Sequence, residues 1–259
     1  MDPTDDWFPC SVCVTHQGQY TLQDYIDRNG RLTISAAKPI LSDIVAALGA
    51  CHDRKIAYCN LRPMTVMYYT NDDTTPIILH PGQEHAQTRG VWKLVNFDSC
   101  AQFGSYLKPQ MIGFISPEIA RARVAVKLVK STQAIDLFGL GRMLQWLLFA
   151  NEDAFYPDLD AFAKACNYRD DVYGAKRMLK LNYLASSDGR LIKLEDLYDV
   201  DTRQVISGLL KRDPIARMPL SVVDRWLKTE TLDAFTLSHT SISTLTLASH
   251  YDARCVAWG

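Results

Sequence analysis

A few side chains have types and spacings that could do chemistry. Cys10, Cys13 and His16 are spaced C-x2-C-x2-H, a pattern with metal-ligand character. Zinc needs a fourth ligand, and none stands at matching spacing nearby, so the segment is read as part of a strand and no metal site is expected. His80 and His85 fall in a polar stretch and read as solvated loop histidines. The seven cysteines are scattered, and the sequence opens without an apolar leader, so they are expected to be reduced thiols. Asp136 is different: it stands in an otherwise apolar run, and a carboxylate there needs a partner.

The elements that must position such groups follow from the hydrophobic pattern. The chain has 259 residues, enough for one large domain or two small ones, and its 47% hydrophobic content is that of a globular chain able to bury a full core. A net charge of -1 argues against nucleic-acid and polybasic membrane binding, and no run of about 18 apolar residues stands out as a membrane span. A short strand is expected at 11–15, then a short helix from residue 20 with Thr21 as N-cap. A long helix follows over about 35–54, where Ile40, Ile44 and Leu48 line one face and Pro39 is tolerated near the first turn. Strands are predicted at 66–69 and 91–95, separated by a polar stretch long for a hairpin loop. From residue 131 the chain is expected to form a helix apolar nearly all round, hence buried. Further helices are predicted near 159–165, 172–181 and 202–210, and from Pro219 to Trp226. The fold class expected is mainly α with a small β hairpin.

Several motifs then carry a resemblance. The segment Ile56-Ala-Tyr58-Cys59-Asn60-Leu-Arg62-Pro-Met-Thr65 follows the long helix and resembles the catalytic loop of eukaryotic protein kinases, H-R-D-L-x-x-x-N. Asn96-Phe97-Asp98 resembles the D-F-G element, and Ser116-Pro117-Glu118 resembles A-P-E. Asp136-Leu-Phe-Gly resembles the start of the family's central helix, and the run from Leu209 through Asp213-Pro214 to Arg217 resembles its late L-L-x-x-D-P-x-x-R element. The resemblance implies the large lobe of a protein-kinase-like fold over 1–228. It places a hinge-like start at 11–19 and an insertion at about 71–90, and leaves 229–259 as a tail. It further implies that Asp136 accepts backbone N–H bonds from the catalytic loop, that Glu118 and Arg217 form a buried ion pair, and that Tyr58 and Phe97 fill hydrophobic spine positions.

The departures from the family pattern bear on function. Asn60 stands where the family has its base, Thr65 where a second metal ligand belongs, and Asn96 where the main magnesium ligand belongs. An amide cannot take a hydroxyl proton at neutral pH and is a weaker magnesium ligand than a carboxylate. Asp98 restores one carboxylate two residues on, and Arg62 replaces the usual lysine. The Gly-rich loop, strand lysine and helix glutamate of the small ATP-covering lobe find no counterpart. The resemblance therefore implies a catalytically inactive, pseudokinase-like chain with no cofactor, in which ATP and Mg2+ binding is absent or weak. Its expected partner is another protein, a kinase or signalling component, with no nucleic acid and no membrane, in the cytoplasm or nucleus. The alternative is a Ser/Thr-type kinase fragment whose small lobe is lost from this chain or supplied in trans.

Overall fold

The computed structural model describes residues 18–70, 90–107, 114–149, 159–166, 175–186 and 199–228. The expected strand at 11–15, Cys10, Cys13, His16, His80 and His85, nearly all of the 71–90 insertion and the 229–259 tail lie outside the described residues.

The first elements are set by local capping. The two-residue strand β1 (Tyr20–Thr21) runs into helix α1 (Leu22–Asn29). Thr21 is the N-cap, as its position predicts: its hydroxyl accepts the Asp24 N–H at 3.1 Å, and the Asp24 carboxylate accepts the Thr21 N–H at 2.9 Å. Thr33 likewise caps α2 (Ile34–Asp53). Pro39 lies in the second turn of α2, not the first, and so removes the hydrogen bond that the Ser35 carbonyl would accept. Ser35 and Pro39 are both exposed, so water can serve that carbonyl. α2 also corrects the expectation about apolar runs. Its length and a mean hydropathy of 1.4 qualify it as a membrane-span candidate by composition alone. In the fold, its Ile40, Leu41, Ile44, Val45 and Leu48 face enters the protein core.

The strands β3 (Val66–Tyr69) and β4 (Val91–Leu94) pair antiparallel, with Tyr68 opposite Trp92. β1 adds to the other side of β3, so the expected hairpin is part of a three-stranded sheet of order β1-β3-β4. A second small sheet joins β2 (Ile56–Ala57) to β5 (Ala101–Gln102). Tyr20, Tyr25, Tyr68 and Trp92 stack and edge together with centroids 5.0–6.3 Å apart, sealing one face of the larger sheet. The Asp43 carboxylate on α2 accepts the Trp92 N–H at 2.9 Å and ties the sheet to that helix; burial pushes the Asp43 carboxyl up from its ordinary range.

The rest of the described chain is helical: α3 (Pro117–Val124), α4 (Gln133–Phe149), α5 (Leu159–Ala165), α6 (Ala175–Ala185), α7 (Val200–Leu209) and α8 (Leu220–Lys228). The molecule is thus mainly α with a small sheet. α4 is buried on almost every side, as its all-round apolar sequence predicts, and packs against α2, α7 and β2. α6 ends later than the predicted 172–181, whose first three residues lie outside the described ones.

α4 and α7 meet at a glycine. A methyl group at Gly141 would lie 2.8 Å from Leu209 Cβ and 3.0 Å from Leu210 Cδ2, too close without moving a helix. Gly49 on α2 has only Leu220 Cδ2 near it, at 3.8 Å. Gly141→Ala is therefore expected to lower stability by about 1–3 kcal/mol through overpacking. Gly49→Ala should be neutral, or stabilising by up to about 1 kcal/mol through helix propensity. Thermal melts of the two variants check this; equal shifts would show that α4 and α7 do not touch at Gly141.

Candidate functional site

The site is built around one buried carboxylate. Asp136, in the first turn of α4, has 1% of its surface exposed. Its Oδ1 accepts the Cys59 N–H at 2.7 Å, and its Oδ2 accepts the Tyr58 N–H at 2.8 Å. His52 Nε2, from the last turn of α2, lies 2.9 Å from the same Oδ2. In extended backbone the N–H groups of Tyr58 and Cys59 would point opposite ways. Their convergence on one acceptor accompanies a left-handed backbone at Cys59, φ 62°. A non-glycine residue there carries strain of about 1–3 kcal/mol, held by the surrounding bonds.

From this anchor the loop runs through Asn60, Arg62 and Thr65. Thr65 acts as a staple: its hydroxyl donates to the Asn60 carbonyl at 2.8 Å and accepts the Arg62 N–H at 3.3 Å. The Thr65 carbonyl accepts the Val95 N–H at 3.0 Å, which binds the loop to the end of β4. Tyr58 is fully buried, and its hydroxyl donates to the Val95 carbonyl. Asn96 follows, again left-handed at φ 59°, a conformation asparagine adopts more readily than most residues. The buried Asn60 amide approaches it, with Nδ2 3.5 Å from both the carbonyl and Oδ1 of Asn96, the outer limit of hydrogen bonding. Among the described residues Asn60 Oδ1 has no hydrogen-bond partner.

The predicted site residues thus fall into two groups. Tyr58, Asn60, Arg62, Thr65, Asn96, Phe97 and Asp98 gather where the 58–65 loop meets the end of β4. Phe97 departs from its expected place. It meets the Tyr58 ring edge-on at 5.3 Å, yet it is 52% exposed, so it does not fill an interior spine. The short turn it begins, Phe97–Ser99, has no buried residue and holds the ring at the surface. Tyr68 is buried in the aromatic cluster. The second group is Glu118 and Arg217, which form a two-pronged ion pair with N–O distances of 2.7 and 2.6 Å. Arg217 also donates to the carbonyls of Ala134 at 2.6 Å and Lys211 at 2.9 Å, and its guanidinium lies over the Phe138 ring. The pair therefore joins α3, α4 and the segment after α7. The Glu118 side chain keeps 17% of its surface exposed.

His52 was not among the predicted site residues. The signal for it was present: Ile44, Leu48 and His52 are spaced four apart, so the histidine continues the inward stripe of α2 to a carboxylate.

The donor set does not suit magnesium. Asn60 and Asn96 are neutral amides, the Thr65 hydroxyl is committed to the loop, and Asp98 is exposed on the short turn beyond. Among the described residues no group of three or more His, Cys, Asp or Glu could hold a metal ion. Thiols surround the anchor without being activated by it. Burial, and then the nearby Asp136 charge, raise the Cys59 thiol far above its ordinary range and the Cys51 thiol above it. Burial first, with Cys51, Asp136 and Asp98 adding, pushes the Cys100 thiol up to about 12. No protein-family model matches this chain, and no curated protein matches it.

Two tests follow from this geometry. Asp136→Ala leaves two inward N–H groups without an acceptor, at about 1–3 kcal/mol each. Arg217→Ala strands Glu118; because that carboxylate is partly solvated, the loss should fall at or below the roughly 3 kcal/mol lower end for broken buried pairs. Denaturant titrations of both variants check the order, and unchanged midpoints would sink the anchoring role. The thiols supply the second test. Raised values keep Cys51, Cys59 and Cys100 protonated at pH 8, so iodoacetamide should label them far more slowly than exposed Cys166. The stability that Cys100 contributes is full below its unfolded value near 9 and is lost as pH climbs toward about 12. Rapid labelling of Cys100 in the folded protein at pH 8 would contradict this.

Proposed function

We propose that this chain is a protein-kinase-like large lobe that no longer transfers phosphate and acts by binding another protein, as a scaffold or regulator. The observation that carries the reading is a contrast within one loop. Asp136 holds the loop's Tyr58 and Cys59 N–H groups, and outside the loop Glu118 clasps Arg217. Its reactive positions are neutral: Asn60 where a base would stand, Thr65 turned inward, and Asn96 where a metal carboxylate would stand. Phosphoryl transfer depends on positioning and on metal-assisted charge neutralisation, and only the positioning scaffold is retained. A polypeptide that keeps such a strained loop without its chemistry offers shape, which fits recognition of a protein partner such as a kinase or other signalling component. On this reading ATP and Mg2+ bind weakly or not at all, and the protein works in the cytoplasm or nucleus.

The test uses labelled ATP with generic protein substrates, together with melts in ATP and Mg2+ or Mn2+. Incorporation should stay at background, and the melting temperature should not move. A ligand present at a hundred times its Kd would add about 2.7 kcal/mol, which such melts detect. Turnover that vanishes in Asp98→Ala would overturn the proposal.

A further inference from the structure

The segment that follows α3 combines four features that the loop at Asp136 does not use. First, residues 124–128 are all exposed, and three of them carry large apolar side chains: Val124, Val126 at 93% and Leu128 at 66% exposure. Tyr106 lies exposed on the adjoining strand, bridged to Lys130, whose ammonium stands 6.0 Å over its ring. Second, the charge is one-sided. Between residues 114 and 135 the chain carries exposed Arg121, Lys127 and Lys130 but a single carboxylate, Glu118, which Arg217 already neutralises. In a chain with a net charge of -1 this is a local cationic field.

Third, Val126 has φ 52°. A β-branched residue in the left-handed region is a genuine outlier, and here it lifts an apolar side chain into solvent. Fourth, the backbone edge is open. The Leu107 N–H bonds to the Val129 carbonyl and the Ser131 N–H to the Ser105 carbonyl, so one edge of the 129–131 segment is paired, as an isolated bridge. No hydrogen bond among the described residues uses the backbone N–H or C=O of Leu128 or Lys130, which alternate to the other edge.

We infer that the Val126–Lys130 edge, with Tyr106 beside it, docks an extended acidic peptide segment of a partner protein that adds as a strand. The open N–H and C=O groups of Leu128 and Lys130 would pair with its backbone. Val126 and Leu128 would take its apolar side chains, and Arg121, Lys127 and Lys130 its carboxylates. An anionic bilayer matches the charge but offers nothing to the open backbone groups. A second copy of this chain would set like charges face to face across a two-fold axis. The inference stands on this surface alone and does not depend on the kinase-like reading.

The experiment measures fluorescence anisotropy of a labelled octapeptide alternating glutamate and valine against the whole protein. A lysine–valine octapeptide and an all-glutamate octapeptide serve as controls. Saturable binding to the glutamate–valine peptide is expected, at least tenfold tighter than to either control and weaker as salt rises. Val126→Ser/Leu128→Ser and Lys127→Glu/Lys130→Glu should each weaken it at least tenfold. Both pairs are exposed, and unchanged melting temperatures will show that the variants fold. Hydrogen exchange at the Leu128 and Lys130 amides should slow when the peptide binds. No saturable binding, or binding that both double variants retain, would overturn the inference. Phosphatidylserine vesicles and sedimentation are run in parallel. Vesicle binding or self-association abolished by the same variants, with peptide binding absent, would assign the surface to a membrane or to a second copy and also overturn it.

Discussion

Removing a carboxylate from water is tolerable only where hydrogen bonds replace its hydration, and Asp136 gathers three donors around two oxygens: His52 from α2 and two consecutive N–H groups from the loop after β2. Each donor comes from a different distance along the chain, 84, 78 and 77 residues away. The carboxylate therefore does more than satisfy itself. It ties the last turn of α2 to the start of the loop that carries Asn60 and Thr65 to the end of β4. The Tyr58 hydroxyl and the Thr65 carbonyl then lock that position onto Val95.

The Glu118–Arg217 pair plays the corresponding part for the other side of α4. Arg217 reaches the Ala134 carbonyl two residues before Asp136, so both polar anchors grip the first turn of the same buried helix. Around them the contacts are apolar and close, as at Gly141, where α4 admits Leu209 and Leu210 only because no side chain intervenes. Polar specification at one end of the helix and close packing along its length together leave the loop little freedom.

Four non-glycine residues among those described are left-handed, and Lys55 sits in the turn between α2 and β2. Cys59 and Asn96 hold the neutral loop, whereas Val126 lies on the far side of α3 among cations. Backbone strain must be balanced by interactions elsewhere in the fold. At Cys59 the balance is visible in the bonds to Asp136. At Val126 the Lys127 N–H to Ala122 carbonyl bond at 2.8 Å and the Val126 N–H to Arg123 carbonyl bond at 3.2 Å close the turn after α3. The chain thus combines a well-anchored interior loop with a cationic, apolar edge on its surface.

Much of the fold was legible in the residue pattern. The capped start of α1, the apolar stripe of α2, the strands β3 and β4 and the all-round apolar α4 are local signals, because periodicity and caps act over a few residues. An aspartate in an apolar helix announced that it needed partners; two of them, the N–H groups after β2, were implied by the resemblance to the kinase catalytic loop and not by local pattern. Tertiary structure alone decided the rest. It brought His52 to Asp136, although the stripe of α2 already pointed that side chain inward. It put Phe97 at the surface despite its apolar ring, turned Thr65 into the loop, and joined β1 to the predicted hairpin. Each of these outcomes depends on which distant group arrives beside a side chain. Hydrogen-bond partners tens of residues away are chosen by the packing of whole helices, and no short-range pattern encodes them.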